Sequence, residues 1–211
     1  MTDPGGEGRR RGQALPVLYT AGEIQQRVAA LAAEIAADHG ERPLTVAVVL
    51  RGAFVFAADL IRALIALGVS DLTVEFLSVA TYRGTRSDGQ VPEVRYVNGV
   101  FPGEGRDVLV VEDIVDRGHT LRAIENALRS HCERFEVCAL LDRPHLREVP
   151  GAPRYAGFRL DSDEFVVGYG LDLDGRYREL PYLARLPGTG GAPPPTPEAA
   201  TPMTAAAPPE R

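Results

Sequence analysis

Residues 108 to 121 read VLVVEDIVDRGHTL. Four apolar residues run into two adjacent acids, Glu112 and Asp113; a third acid, Asp116, follows, and then Arg117, Gly118, His119, Thr120 and Leu121. A continuous apolar, valine-rich run is what a parallel strand covered on both faces looks like. A glycine turn leading from it into a helix presents unpaired backbone N–H groups at the positive end of the helix dipole. That turn suits a phosphate, with the Thr120 hydroxyl adding a donor. Glu112 and Asp113 have the opposite preference: two neighbouring hydroxyls, as on a ribose, or a hard cation such as Mg2+. Phosphate and diol side by side describe a ribose phosphate. The structural alternative is an acidic strand-to-helix loop in which Asp116 caps the helix. Neither the GxxxxGK[ST] of a P-loop nor the GxGxxG of a dinucleotide fold is present in this stretch.

The same alternation extends on both sides. Thr20 and Glu23 have capping-box spacing, and Ile24, Val28, Leu31 and Ile35 recur on one face, which predicts a helix over 21–38. LTVAVVL (44–50) reads as a buried strand, FVFAADLIRALIAL (54–67) as a helix and LTVEFLSVATY (72–82) as the next strand. RGTRSDGQVPE (83–93) has no periodicity and reads as a long mobile loop. DVLVVED (107–113), a helix over about 119–130 and FEVCALLD (135–142) continue the pattern. The expected fold is α/β, a mostly parallel sheet flanked by helices, with ligands outside the carboxyl ends of the strands.

Composition bounds the function. The chain has 211 residues, 45% hydrophobic and 25% charged, with a formal net charge of −6, which disfavours nucleic acid and anionic membrane as partners. Cys132 and Cys138 are the only cysteines and read as two reduced, buried thiols, in keeping with a cytoplasmic location. His39, His131 and His145 show no ligand spacing. Residues 1–14, with their Arg9 to Arg11 run, and the Pro/Ala-rich residues 187–211 read as disordered tails around a folded unit at 15–186. No apolar leader or membrane span is indicated.

VLVVEDIVDRGHTL resembles the phosphoribosyl pyrophosphate signature of type I phosphoribosyltransferases, and Asp116 resembles the acid of the hypoxanthine-guanine branch. Other stretches agree in collinear order. VLRGAFVFAADL (49–60) is similar to that family's pyrophosphate loop and following helix, ATYRG (80–84) to its mobile catalytic loop, and LLDRPH (140–145) to its purine-contact segment. FVVGYGLDLDGRYRELPYL (165–183) is similar to its C-terminal hood, expected over about 150–186.

The resemblance implies transfer of a phosphoribosyl group to hypoxanthine or guanine, with Mg2+ required. It implies that Leu50, Arg51 and Gly52 form a pyrophosphate loop in which the peptide before Arg51 can be cis, and that residues 112–113 and 116–121 hold the phosphoribosyl group. Arg178 would grip the pyrophosphate, Glu112, Asp113 and Asp172 would stand beside Mg2+, and Asp116 would serve as general acid/base. Arg143, where the family usually has lysine, would meet the purine O6. Phe165 would stack on the base, the carbonyls of Val166 and Asp172 would read its 2-amino group, and Thr81 and Tyr82 would sit on the closing loop. A homodimer or homotetramer is implied. The runner-up is a phosphoribosyltransferase-like RNA-binding regulator of pyrimidine genes, which predicts a basic face that this acidic chain does not offer.

Overall fold

The computed structural model describes residues 15–80, 92–97 and 104–186. In chain order the elements are β1 (Val17–Tyr19), α1 (Ala21–His39), β2 (Leu44–Leu50), α2 (Phe54–Ala66), β3 (Leu72–Ala80), β4 (Glu93–Tyr96) and β5 (Asp107–Val115). Then follow α3 (His119–Leu128), β6 (Arg134–Asp142), β7 (Tyr155–Arg159), β8 (Val166–Val167) and β9 (Leu183–Arg185).

α1 begins where its capping box places it. Thr20 Oγ1 accepts from the Glu23 N–H at 3.3 Å, and the Glu23 carboxylate accepts from the Thr20 N–H at 2.8 Å. Ile24, Val28, Leu31 and Ile35 are buried, as their spacing predicts. The central sheet runs β4-β3-β2-β5-β6-β7, parallel except for the β3–β4 pair. β2, at its centre, is buried along nearly all its length, which is why its sequence shows no polar alternation. One face packs under α1 and α2 around Val46, Val48, Phe56 and Leu60. The other packs under α3 around Ala47, Val49, Val110, Ile124 and Leu128. Each such valine, leucine, isoleucine or phenylalanine side chain contributes about 1.5 to 3 kcal/mol of burial, so the apolar strands fix the register.

Several expectations shift. The helix read to 130 is α-helical only to Leu128, and Arg129–His131 tighten into a 3-10 turn. Glu93, read as loop, starts β4, which gains its hydrogen bonds from the β3 edge rather than from any pattern of its own. The span 150–186 contains β7, which joins the central sheet parallel to β6. The small second sheet is instead β1-β9-β8, so the first and last strands of the described residues close it together. Cys138 is buried but Cys132 only half-buried. The segments 1–14, 81–91 and 187–211, with Thr81 and Tyr82, lie outside the described residues. Among the described residues, no helix is long and apolar enough to cross a membrane.

At the amino end of the sheet, Asp107 is buried and accepts from Arg42 Nε at 2.7 Å, with His39 Nδ1 at 3.4 Å. The other ring nitrogen of His39 meets the Arg42 carbonyl. This cluster, with Asp107 and His39 buried and Arg42 half exposed, lies at the opposite end of β5 from the acids of the opening motif.

Candidate active site

A cavity of about 990 Å³ opens at the carboxyl ends of β2, β3 and β5. β2 connects outward through β3 and β5 outward through β6, so the strand order reverses between β2 and β5, where open α/β sheets bind ligands. Its lining includes residues 50–52, 112–121, Asp172 and Arg178.

β5 carries Glu112 and Asp113 to this rim. Glu112 is buried; burial pushes its carboxyl well above the ordinary carboxylate range, and the neighbouring Asp113 charge adds to the rise. Asp113 Oδ1 accepts from the Ile114 N–H at 2.9 Å. The other Asp113 oxygen presses on Gly52, where a Cβ would stand only 1.5 Å from it. Two crowded acids on a polar cavity fit a divalent cation that draws its remaining oxygen ligands from water and substrate phosphates. A protein-only cage of three or more ligands is absent among the described residues.

The Asp116–Gly118 turn follows. α3 is entered through Gly118 at φ 89, with no side-chain cap, so the capping role considered for Asp116 does not hold. Gly118 is required twice: by its positive φ and because a Cβ would sit 2.9 Å from the Val149 carbonyl oxygen. The first N–H groups of α3 lack intrahelical partners and flank the cavity, an anion seat as the motif suggests. The His119 ring pairs with Glu148 at 2.9 Å, and Arg117 pairs with the same carboxylate.

Asp116, freed from capping, has Oδ1 buried without a hydrogen-bond partner. Burial raises its carboxyl above the ordinary range, opposed chiefly by Arg143. Arg143 is buried, donates to the Glu164 carbonyl and stands 3.7 Å from Asp116 Oδ1. Its Nε has no hydrogen-bond partner. Arg143, Phe165 and Val166 are not among the residues that line the cavity; Arg143 adjoins it through Asp116, and Phe165 and Val166 follow Glu164, whose carbonyl Arg143 meets. Phe165 is half-buried and Val166 buried in β8.

The Leu50–Arg51 peptide is cis, as the resemblance implies, and the Arg51 side chain is exposed. The hood docks directly on this loop: Gly170, at φ 102, lies so close that a Cβ there would be 2.1 Å from the Gly52 carbonyl oxygen. Arg178 donates to the Gly170 carbonyl and pairs with Asp172 at 2.5 Å. Asp172 Oδ2 accepts from the Gly175 N–H at 2.6 Å, so both its oxygens are engaged. The sequence did not mark Gly170, nor Arg147, whose guanidinium donates to the Asp116 carbonyl; neither sits in a periodic pattern that would distinguish it.

Residues 18–174 match the model of the phosphoribosyl transferase domain family. The chain is 37% identical over 172 residues to the hypoxanthine-guanine phosphoribosyltransferase of Staphylococcus epidermidis, covering 81% of this chain and 92% of that one. Its structure is similar to that of a Staphylococcus aureus hypoxanthine phosphoribosyltransferase, with TM-score 0.72 and 35% identity over 81% of this chain and 90% of the other. A Trypanosoma cruzi hypoxanthine phosphoribosyltransferase, studied for how its C-terminal region affects oligomeric state and activity, matches with TM-score 0.74 and 35% identity over 84% and 94% of the two chains. With the acid pair, the anion turn and the cis-peptide loop meeting in one cavity, and with relatives this close over this much of the sequence, the chain belongs to the hypoxanthine-guanine phosphoribosyltransferases.

Proposed function

We propose that the protein transfers the 5-phosphoribosyl group of phosphoribosyl pyrophosphate to N9 of hypoxanthine or guanine, giving IMP or GMP and pyrophosphate. The observation that carries this reading is the convergence on one cavity of two anion seats, residues 116–121 and residues 50–52 with Arg178, with the Glu112–Asp113 pair between them. That spacing of charges matches a sugar bearing a phosphate at one end and a pyrophosphate at the other.

Cleavage of the C1–O bond leaves an oxocarbenium-like sugar, so the site must hold the departing charge, aim the purine and exclude water. The N–H groups that open α3, with Thr120 and Leu121, seat the 5-phosphate. Glu112 and Asp113 accept from the ribose hydroxyls. Leu50, Arg51, Gly52 and Arg178 take the pyrophosphate, a guanidinium being well shaped for phosphate oxygens. Asp116 takes or shares the proton at purine N7, Arg143 donates to O6, and Phe165 stacks on the ring while the carbonyls of Val166 and Asp172 read position 2. Thr81 and Tyr82 belong to the loop that closes over the reaction. Mg2+ would be held by Glu112 and Asp113, with Asp172 beside a second ion, and would supply neutralisation of the leaving charge.

The protein works in the cytoplasm as a homodimer or homotetramer. Exposed Phe54, Ile65, Leu67, Phe76 and Val97 support self-association, which light scattering would read. The RNA-binding alternative draws no support from the relatives found. A coupled assay of hypoxanthine, guanine, xanthine and adenine with phosphoribosyl pyrophosphate and Mg2+ tests the reading. Turnover of the 6-oxopurines is expected; a folded protein that turns over none of the four bases would overturn it.

A further inference from the structure

Directly behind the phosphate turn lies a charged pair that does not line the cavity. Arg147, with a side chain only 12% exposed, donates from Nη1 to the Asp116 carbonyl at 2.5 Å and from Nη2 to the carboxylate of Asp142, itself 14% exposed. Asp142 ends β6 and lies in register with Val115, the last residue of β5. The guanidinium therefore ties together the ends of two neighbouring strands at the point where β5 gives way to the turn. The next carbonyl, that of Arg117, is held from the same side: the N–H groups of Glu148 and Val149 both donate to it at 3.0 Å. Gly118 packs against this segment too, since a Cβ there would lie 3.1 Å from Arg147 Cδ.

A trans peptide is planar, with its C=O and N–H pointing in opposite directions. With the carbonyls of Asp116 and Arg117 turned toward residues 147–149, which lie outside the cavity lining, the N–H groups of Arg117 and Gly118 are turned away from that segment, toward the cavity. Their aim is thus decided behind the turn, by groups that never meet a ligand.

We propose that Arg147 is a positioning residue: by clamping the Asp116 carbonyl against Asp142 it fixes the turn whose N–H groups seat the 5-phosphate. The proposal rests on the phosphoribosyl-transfer reading for what the turn binds, but the clamp concerns phosphate binding and is tested without a purine. A guanidinium is needed because one planar group must reach a carbonyl and a carboxylate together, and a lysine offers one ammonium for the two.

The experiment measures the Kd of phosphoribosyl pyrophosphate with Mg2+ by calorimetry, and KM and kcat with hypoxanthine, for wild type, Arg147→Lys and Arg147→Met, with Tm recorded for each. A small displacement of a binding group can cost up to about a hundredfold. The expected result is a weakening of phosphoribosyl pyrophosphate, in both Kd and KM, of about tenfold or more in Arg147→Met, a smaller loss in Arg147→Lys, and a hypoxanthine KM changed by less than about threefold. A purely structural role would lower Tm and the active fraction but leave Kd and KM unmoved; that outcome, in either variant that folds, overturns the proposal. If Arg147→Met does not fold, Arg147→Lys decides by the same measure. Wild-type protein that binds phosphoribosyl pyrophosphate but turns over no purine would strike at the functional reading and leave the clamp to be judged by Kd.

Discussion

The Arg143 guanidinium stands 3.7 Å from Asp116 Oδ1, and each residue keeps one buried polar atom without a hydrogen-bond partner, Arg143 Nε and Asp116 Oδ1. An unpaired donor on one residue and an unpaired acceptor on the other, in a region where burial makes orphaned groups costly, are complementary to a ligand edge that offers both an acceptor and a donor. A 6-oxopurine protonated at N7 has such an edge.

Asp116→Asn keeps the turn's backbone contacts and removes the base. Turnover should fall about a hundredfold or more with phosphoribosyl pyrophosphate affinity nearly unchanged, as expected for loss of general-base catalysis. Unchanged kcat in steady-state assays would dismiss Asp116 as the base.

Because burial raises the Asp116 carboxyl, the acid limb of kcat/KM should lie above the ordinary carboxylate range and vanish in Asp116→Asn. Linkage gives the stability sign. The folded state binds this proton more tightly than the unfolded chain, so the contribution to stability is largest below the unfolded pKa and declines as pH rises through the raised folded one. Asp116→Asn should therefore gain Tm relative to wild type at neutral pH and lose that advantage in acid. Thermal melts across pH check this, and an advantage that grows in acid would contradict it.

Arg143 is held by Glu164 on one side and faces Asp116 on the other, so its fork is fixed before any base arrives. Adenine would meet it donor to donor and should be excluded by about four orders of magnitude in kcat/KM. Xanthine, which keeps O6 but changes position 2, should be poor rather than absent. Arg143→Lys should retain the 6-oxopurine preference; a uniform rise in rate for every base in that variant would mean that the arginine's pairing with Asp116 hinders catalysis.

Gly52→Ala would drive a methyl into the Asp113 carboxylate, so the acid pair must move. Activity should fall by about a hundredfold or more through misplacement of the phosphoribosyl site, with the core unaffected. Kinetics and Tm together decide: full activity would show that the contact between the two loops is dispensable.

Asp107→Asn provides the converse case. Removing the charge of buried Asp107, which faces buried His39 and the half-exposed Arg42, should cost about 1 to 3 kcal/mol of stability, measured by denaturant unfolding, while KM values remain those of wild type, because the cluster sits at the far end of β5. A large KM change would reveal coupling along the strand.

The chain trimmed to residues 15–186 should keep its activity and Tm if the tails are dispensable, as their composition predicts. A marked loss of either would assign a docking role to one of the ends.

The sequence determined what depends on short-range physics. A capping box is made by residues three apart, so the start of α1 was legible, and the β-branched, largely apolar run 44–50 read as a strand covered on both faces. The acid pair and glycine turn were legible as chemistry for the same reason, since the strand itself delivers them to one rim. Tertiary structure decided the rest. β1 and β4 are too short to announce themselves and exist because β9 and β3 offer them partners. Asp116 was legible as an acid but not as an uncapped one, because a glycine at positive φ enters the helix and Arg147, 31 residues away, holds the Asp116 carbonyl. Gly170 meets Gly52 only after the hood folds back over the sheet. Such contacts follow from strand order and register, which are settled by the summed burial of the whole core, and no window of neighbouring residues contains that sum.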